Sequence, residues 1–66
     1  MAIIEEKLTP KEIRILQCLA DGEKPSERMR YTPGTVKVYL YYIREKMNVP
    51  TTYNAIATAM RQGLID

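Results

Sequence analysis

The run from Thr32-Pro33-Gly34-Thr35-Val36 to Lys46-Met47 constrains this chain more than any other segment. A threonine hydroxyl can accept from the free amides at a helix start, and proline suits the first helical position, where its missing N–H is no loss. Downstream, Val36, Leu40, Ile43 and Met47 recur at the i, i+4, i+7, i+11 spacing that lines one side of an α-helix. The pattern predicts a helix over 33–47 with an apolar back. It leaves Lys37, Val38, Tyr41 and Arg44 for the outer side. Asn48 is a plausible left-handed terminator, and Val49-Pro50 an extended connector.

The same grammar recurs on either side. Thr9-Pro10-Lys11-Glu12 combines a cap, a first-position proline and the glutamate of a capping box. It opens a helix over about residues 10–21, with Ile13, Ile15, Leu16, Leu19 and Ala20 inward and Gly22 as its stop. Residues 23–31 allow only one or two helical turns after Pro25, with Met29 as the core anchor. Thr51 or Thr52 caps a last helix to about Gln62, with Ile56, Ala59 and Met60 inward. Gly63 ends it, and Leu64 and Ile65 are expected to return to the core. Ahead of these, residues 1–8 form a lead-in whose Ile3, Ile4 and Leu8 are expected to fold back on the core. The expected fold class is therefore all-α, four short helices with tight connections forming one helix-turn-helix domain over 1–66, its core over 8–65.

Composition narrows the function. A chain of 66 residues has no room for a cleft between domains, and it buries only about 60% of its unfolded surface. Histidine is absent and Cys18 is the single cysteine, so zinc, Cys/His catalysis and intrachain disulfides find no support. No enzyme, metal or cofactor is expected. Cys18, among Leu16, Leu19 and Ala20, reads as a buried structural thiol in a reduced, cytoplasmic setting. No apolar run reaches the length of about 18 residues that would suggest a membrane span. Charge is segregated. Residues 24–46 hold Lys24, Arg28, Arg30, Lys37, Arg44 and Lys46 against Glu27 and Glu45, a local +4, while the remainder carries −2. That asymmetry favours a polyanion approached by the middle of the chain.

Taken in order, these segments resemble the LuxR-type (GerE-like) DNA-binding domain of bacterial regulators. The resemblance rests on Leu8-Thr9-Pro10-Lys11-Glu12 with Ile15-Leu16, on Gly34-Thr35-Val36-Lys37-Val38 with Leu40, Ile43 and Lys46-Met47-Asn48-Val49, and on Ala55-Ile56-Ala57 and Gly63-Leu64-Ile65. The chain departs from the family pattern in places. The span from Gly22 to Gly34 is shorter than usual, so the second helix is truncated. Arg14 replaces a common acidic residue, Tyr39 the usual histidine of the recognition helix, and Thr52 the usual arginine after the last cap.

The resemblance implies a sequence-specific transcriptional regulator that sets the helix at 33–47 in the major groove of double-stranded DNA. It puts Lys37, Val38 and Tyr41 at base-facing positions, with lysine suited to guanine O6 and N7 and valine to a thymine methyl. Thr35, Arg44, Lys46, Arg30 and Lys24 are then the phosphate contacts, joined by Arg28 and by the amides near Pro33–Val36. Tyr39 and Tyr42 read as packing residues. Family members usually form homodimers, often through the last helix, which here points to Tyr53, Ala57 and Thr58. Such a chain is either an excised domain or a stand-alone bacterial or phage regulator; Met1 and the near-immediate start of the domain favour the latter. The alternative is a protein-binding module that modulates a host regulator or RNA polymerase. The tyrosine-rich patch at 39–42 suits that reading.

Overall fold

The computed structural model describes residues 8–66 and contains four helices: α1 (Pro10–Ala20), α2 (Pro25–Arg28), α3 (Pro33–Met47) and α4 (Thr52–Arg61). The expected return of Ile3 and Ile4 to the core lies outside the described residues. Each of the three longer helices begins on a threonine that caps it. Thr9 accepts from the Glu12 amide, Thr32 from the Thr35 amide and Thr51, rather than Thr52, from the Asn54 amide.

Their ends are equally uniform. Beyond α1, α3 and α4, the N–H groups of Glu23, Val49 and Leu64 donate back to the carbonyls of Cys18, Arg44 and Ala59. The residue before each donor is left-handed: Gly22 at φ 80°, Asn48 at φ 55° and Gly63 at φ 74°. This closing bond satisfies carbonyls that would otherwise be orphaned, and it requires a residue that tolerates positive φ.

Ile15, Leu16, Ile43, Ala55, Ala59 and Ile65 form the buried core, with Leu8, Met29, Leu40 and Met47 packed around it. Burying an isoleucine or leucine contributes about 1.5–3 kcal/mol, so the fully enclosed Ile15, Leu16 and Ile43 are the main apolar anchors. Two expectations fail at the last helix. Met60 is 45% exposed and Leu64 39% exposed, and Ala55 takes the inward place instead. Alanines at 55 and 59 let α4 approach its neighbours closely, and this turns the bulkier Met60 outward. The truncated second helix is a single turn, its buried residue Pro25.

Candidate nucleic-acid interface

Helix α3 divides cleanly into two sides. Val36 and Ile43 are buried, and Tyr39, Leu40 and Met47 are partly buried beside them. On the opposite side Gly34, Val38, Tyr41 and Glu45 are all exposed, again at the spacing of one helical stripe. Lys37 is exposed at the edge of this stripe. Val38 and Tyr41 are each more than half exposed. All three base-facing candidates, Lys37, Val38 and Tyr41, therefore lie on solvent-facing parts of α3.

Tyr39 and Tyr42, expected alike, differ. Tyr39 packs against the core and stacks on Tyr31, ring centroids 5.6 Å apart and planes at 21°. Tyr42 is instead exposed and meets Tyr41 edge-on at 5.5 Å. The Tyr31–Tyr39 stack joins the turn after α2 to the first half of α3. It braces the helix where the second helix is short.

The cationic candidates also separate. Lys24, Arg30 and Lys37 are exposed and in no ion pair among the described residues. Arg30 holds a left-handed backbone, φ 59°, in the turn that precedes α3. Arg28 is bound to Glu23 at 2.7 Å and lies 3.6 Å from Asp21. Arg44 is half-buried and donates to the Thr52 hydroxyl at 3.2 Å. Lys46, expected to meet phosphate, donates instead to Glu12 Oε1 at 2.9 Å. That bond takes up one of the ammonium's three donors.

The start of α3 is less open than its sequence suggests. Thr35 N–H donates to the Thr32 hydroxyl at 3.1 Å, and Val36 N–H to the Thr32 carbonyl. The Thr32 and Thr35 hydroxyls share a further hydrogen bond of 2.8 Å. With Pro33 lacking an N–H, the Gly34 amide is the one left for an anion in this first turn.

Glu12 is the residue whose part in the structure sequence reasoning missed. It is 3% exposed, accepts from Thr9 N–H at 2.8 Å and from Lys46, and so joins α1 to the end of α3. Burial would raise its carboxyl pKa, but the hydrogen bonds from Thr9 and the charge of Lys46 outweigh burial and hold it below the ordinary value. A capping box was legible at Glu12; a partner 34 residues away leaves no local signal. Glu45 was also missed on the outer side, where Lys37, Val38, Tyr41 and Arg44 were expected.

On α4, Tyr53 is 86% exposed, and Ala57 and Met60 continue its stripe outward; Leu64, also exposed, lies beyond the helix end after Gly63. Thr58 sits aside, half-buried, accepting from Arg61 at 3.3 Å. Burial pushes the Cys18 thiol pKa up, consistent with an inert packing role. No described helix is long and apolar enough to cross a membrane.

Comparison with known proteins gives one match. The family model for bacterial regulatory proteins of the luxR family covers residues 6–59. No curated protein and no solved structure matches the chain.

Proposed function

Because the chain belongs to the luxR family of bacterial regulatory proteins, we propose that it is a sequence-specific DNA-binding regulator of transcription that inserts α3 into the major groove. The observation that carries this reading is the division of α3. One side is locked into the core, while the other presents Lys37, Val38 and Tyr41 to solvent. Such a helix offers a fixed donor, an apolar contact and a hydroxyl to base edges. Phosphates would be met by the exposed Lys24 and Arg30, by the Thr35 hydroxyl and Gly34 amide, and by Arg44 if it exchanges its bond to Thr52. Lys46 is left out of that set. Its place is inside the fold.

Three free cations around the helix make a thin electrostatic footprint, so a second copy is needed for affinity. We assign the copy-to-copy contact to the outward stripe of α4, Tyr53 and Ala57 extended by Met60, with exposed Leu64 just beyond it, which would set two α3 helices about one DNA turn apart. The setting is the bacterial or phage-infected cytoplasm, where the DNA lies.

The test is fluorescence anisotropy of a labelled random duplex at several salt concentrations. Binding should fall with log salt at a slope near −0.9 per phosphate contacted, and Lys37→Glu should abolish it with the helical content unchanged. Folded protein that fails to bind at low salt overturns the reading.

A second reading has its own support. Exposed Tyr41, Tyr42 and Tyr53 suit a module that binds a host regulator or RNA polymerase. Partner capture that survives Lys37→Glu would favour it.

A further inference from the structure

We infer that Glu45 is a specificity-determining residue, its carboxylate selecting a cytosine in the DNA that α3 reads. The inference rests on the groove-bound reading of α3 and deepens it. Glu45 lies one turn beyond Tyr41 on the outward stripe, at the i, i+3, i+7 spacing from Val38 through Tyr41. Seven residues of helix rise about 10 Å, so a helix lying along the groove brings Glu45 to the same floor as Val38, about three base-pair steps away. Its carboxylate is exposed and has no ion pair or hydrogen bond among the described residues. Glu12 is held by Lys46 and Glu23 by Arg28; Glu27 is unpaired too, but it lies on α2, so Glu45 is the unpaired acid on the outward stripe of α3 among the described residues.

An unpaired carboxylate on a DNA-facing surface has few acceptable neighbours. Phosphates repel it, and so do the acceptor edges of guanine (N7 and O6) and of thymine (O4). An ionised carboxylate only accepts hydrogen bonds, and the cytosine N4 amino group offers a donor with no adjacent acceptor. Adenine offers N6 beside the N7 acceptor and is the poorer fit. Glu45 therefore acts in two ways. It weakens binding held only by phosphates, and it restores affinity where a cytosine meets it. Discrimination of this kind combines an attractive contact with a repulsive one.

The experiment is selection of binding sites from a randomised duplex pool by the full chain, run in parallel for wild type, Glu45→Gln and Glu45→Ala, with circular dichroism confirming that each is folded. Wild type should select cytosine at one position. Glu45→Gln should convert that preference to adenine, since glutamine pairs with N6 and N7 together. Glu45→Ala should lose the preference, cut discrimination at that position by about tenfold or more, and bind random duplex more tightly than wild type. If all three select the same sites with the same preferences, the inference about Glu45 falls while DNA reading stands. If folded wild type enriches no sequence and binds no duplex, the DNA reading itself falls and takes the inference with it.

Discussion

Lys46 Nζ meets Glu12 Oε1 at 2.9 Å and so ties the last turn of α3 to the first turn of α1. The Glu12 side chain is 5% exposed and the Lys46 side chain 22%, so water screens the pair less than it screens the surface pairs of Arg28. Glu12 also closes the cap on α1, which makes one side chain answer for a helix start and for the seating of α3. Glu12→Ala is expected to cost about 2 kcal/mol, because it leaves an amide and an ammonium without their charged acceptor. In a domain of this size that corresponds to a fall in Tm of about 10 °C. Thermal unfolding at neutral pH checks it.

The pH dependence follows from the same group. Glu12 has a lowered pKa in the folded chain, against an ordinary value of 4.5. Stability from a depressed carboxyl is fully present above the unfolded value and is lost as pH falls through the folded one. Wild type should therefore exceed Glu12→Gln in Tm at pH 7 by a constant margin that begins to shrink below about pH 4.5 and closes further into acid. A margin independent of pH would show that the carboxylate's charge contributes nothing.

Lys46 and Lys37 lie on one helix yet should fail differently. Lys46→Gln leaves Glu12 buried without its cation and lowers Tm, while the salt dependence of DNA binding stays as in wild type. Lys37→Gln, fully on the surface, should leave stability within about 0.5 kcal/mol and weaken duplex binding about tenfold, within the range for a lost base contact. A Lys46 variant that keeps its Tm and loses a phosphate's worth of salt slope would reverse the assignment.

The Tyr31–Tyr39 stack gives a measurable coupling. Offset aromatic pairs contribute about 0.5–1.5 kcal/mol beyond the area they bury, and these rings are 5.6 Å apart and nearly parallel. A double-mutant cycle with Tyr31→Leu and Tyr39→Leu in chemical denaturation should return a coupling of about 1 kcal/mol. Phenylalanine at either position should restore it, since the interaction is between rings. Strict additivity would mean that the stack does not brace the turn.

What could be read from the sequence was what is encoded locally. Thr9, Thr32 and Thr51 with their following prolines or polar residues, and Gly22, Asn48 and Gly63, mark the starts and stops of α1, α3 and α4, so the three longer helices were legible. The apolar stripe of α3 was legible for the same reason, since only one side of it is continuous. Helix α4 was not, because apolar residues surround it. Ala55 and Ala59 line one side, Tyr53, Ala57 and Met60 the other, and only the close approach of neighbouring helices decides which is inward. The pairing of charges in the middle of the chain was not legible either. Arg28 and Lys46 are paired with acids from α1 and the loop after it, and pairing across the fold leaves no trace in a list of charges.

That outward stripe of α4 supplies the last expectation. Tyr53 and Met60 are large side chains left exposed along one line of α4, with Ala57 between them as a low point where a second helix can approach, and exposed Leu64 follows beyond the helix end. Thr58, by contrast, is half-buried and bonded to Arg61. If this stripe joins two copies, sedimentation should show a monomer–dimer equilibrium. Met60→Glu and Tyr53→Glu should shift it to monomer, since each forces an unpaired charge into the apolar contact. Thr58→Ala should leave it unchanged. Monomerising variants should still bind a single half-site at low salt while losing preference for two half-sites one helical turn apart. Wild type that stays monomeric both free and on a paired site would show that α4 faces solvent or a different partner.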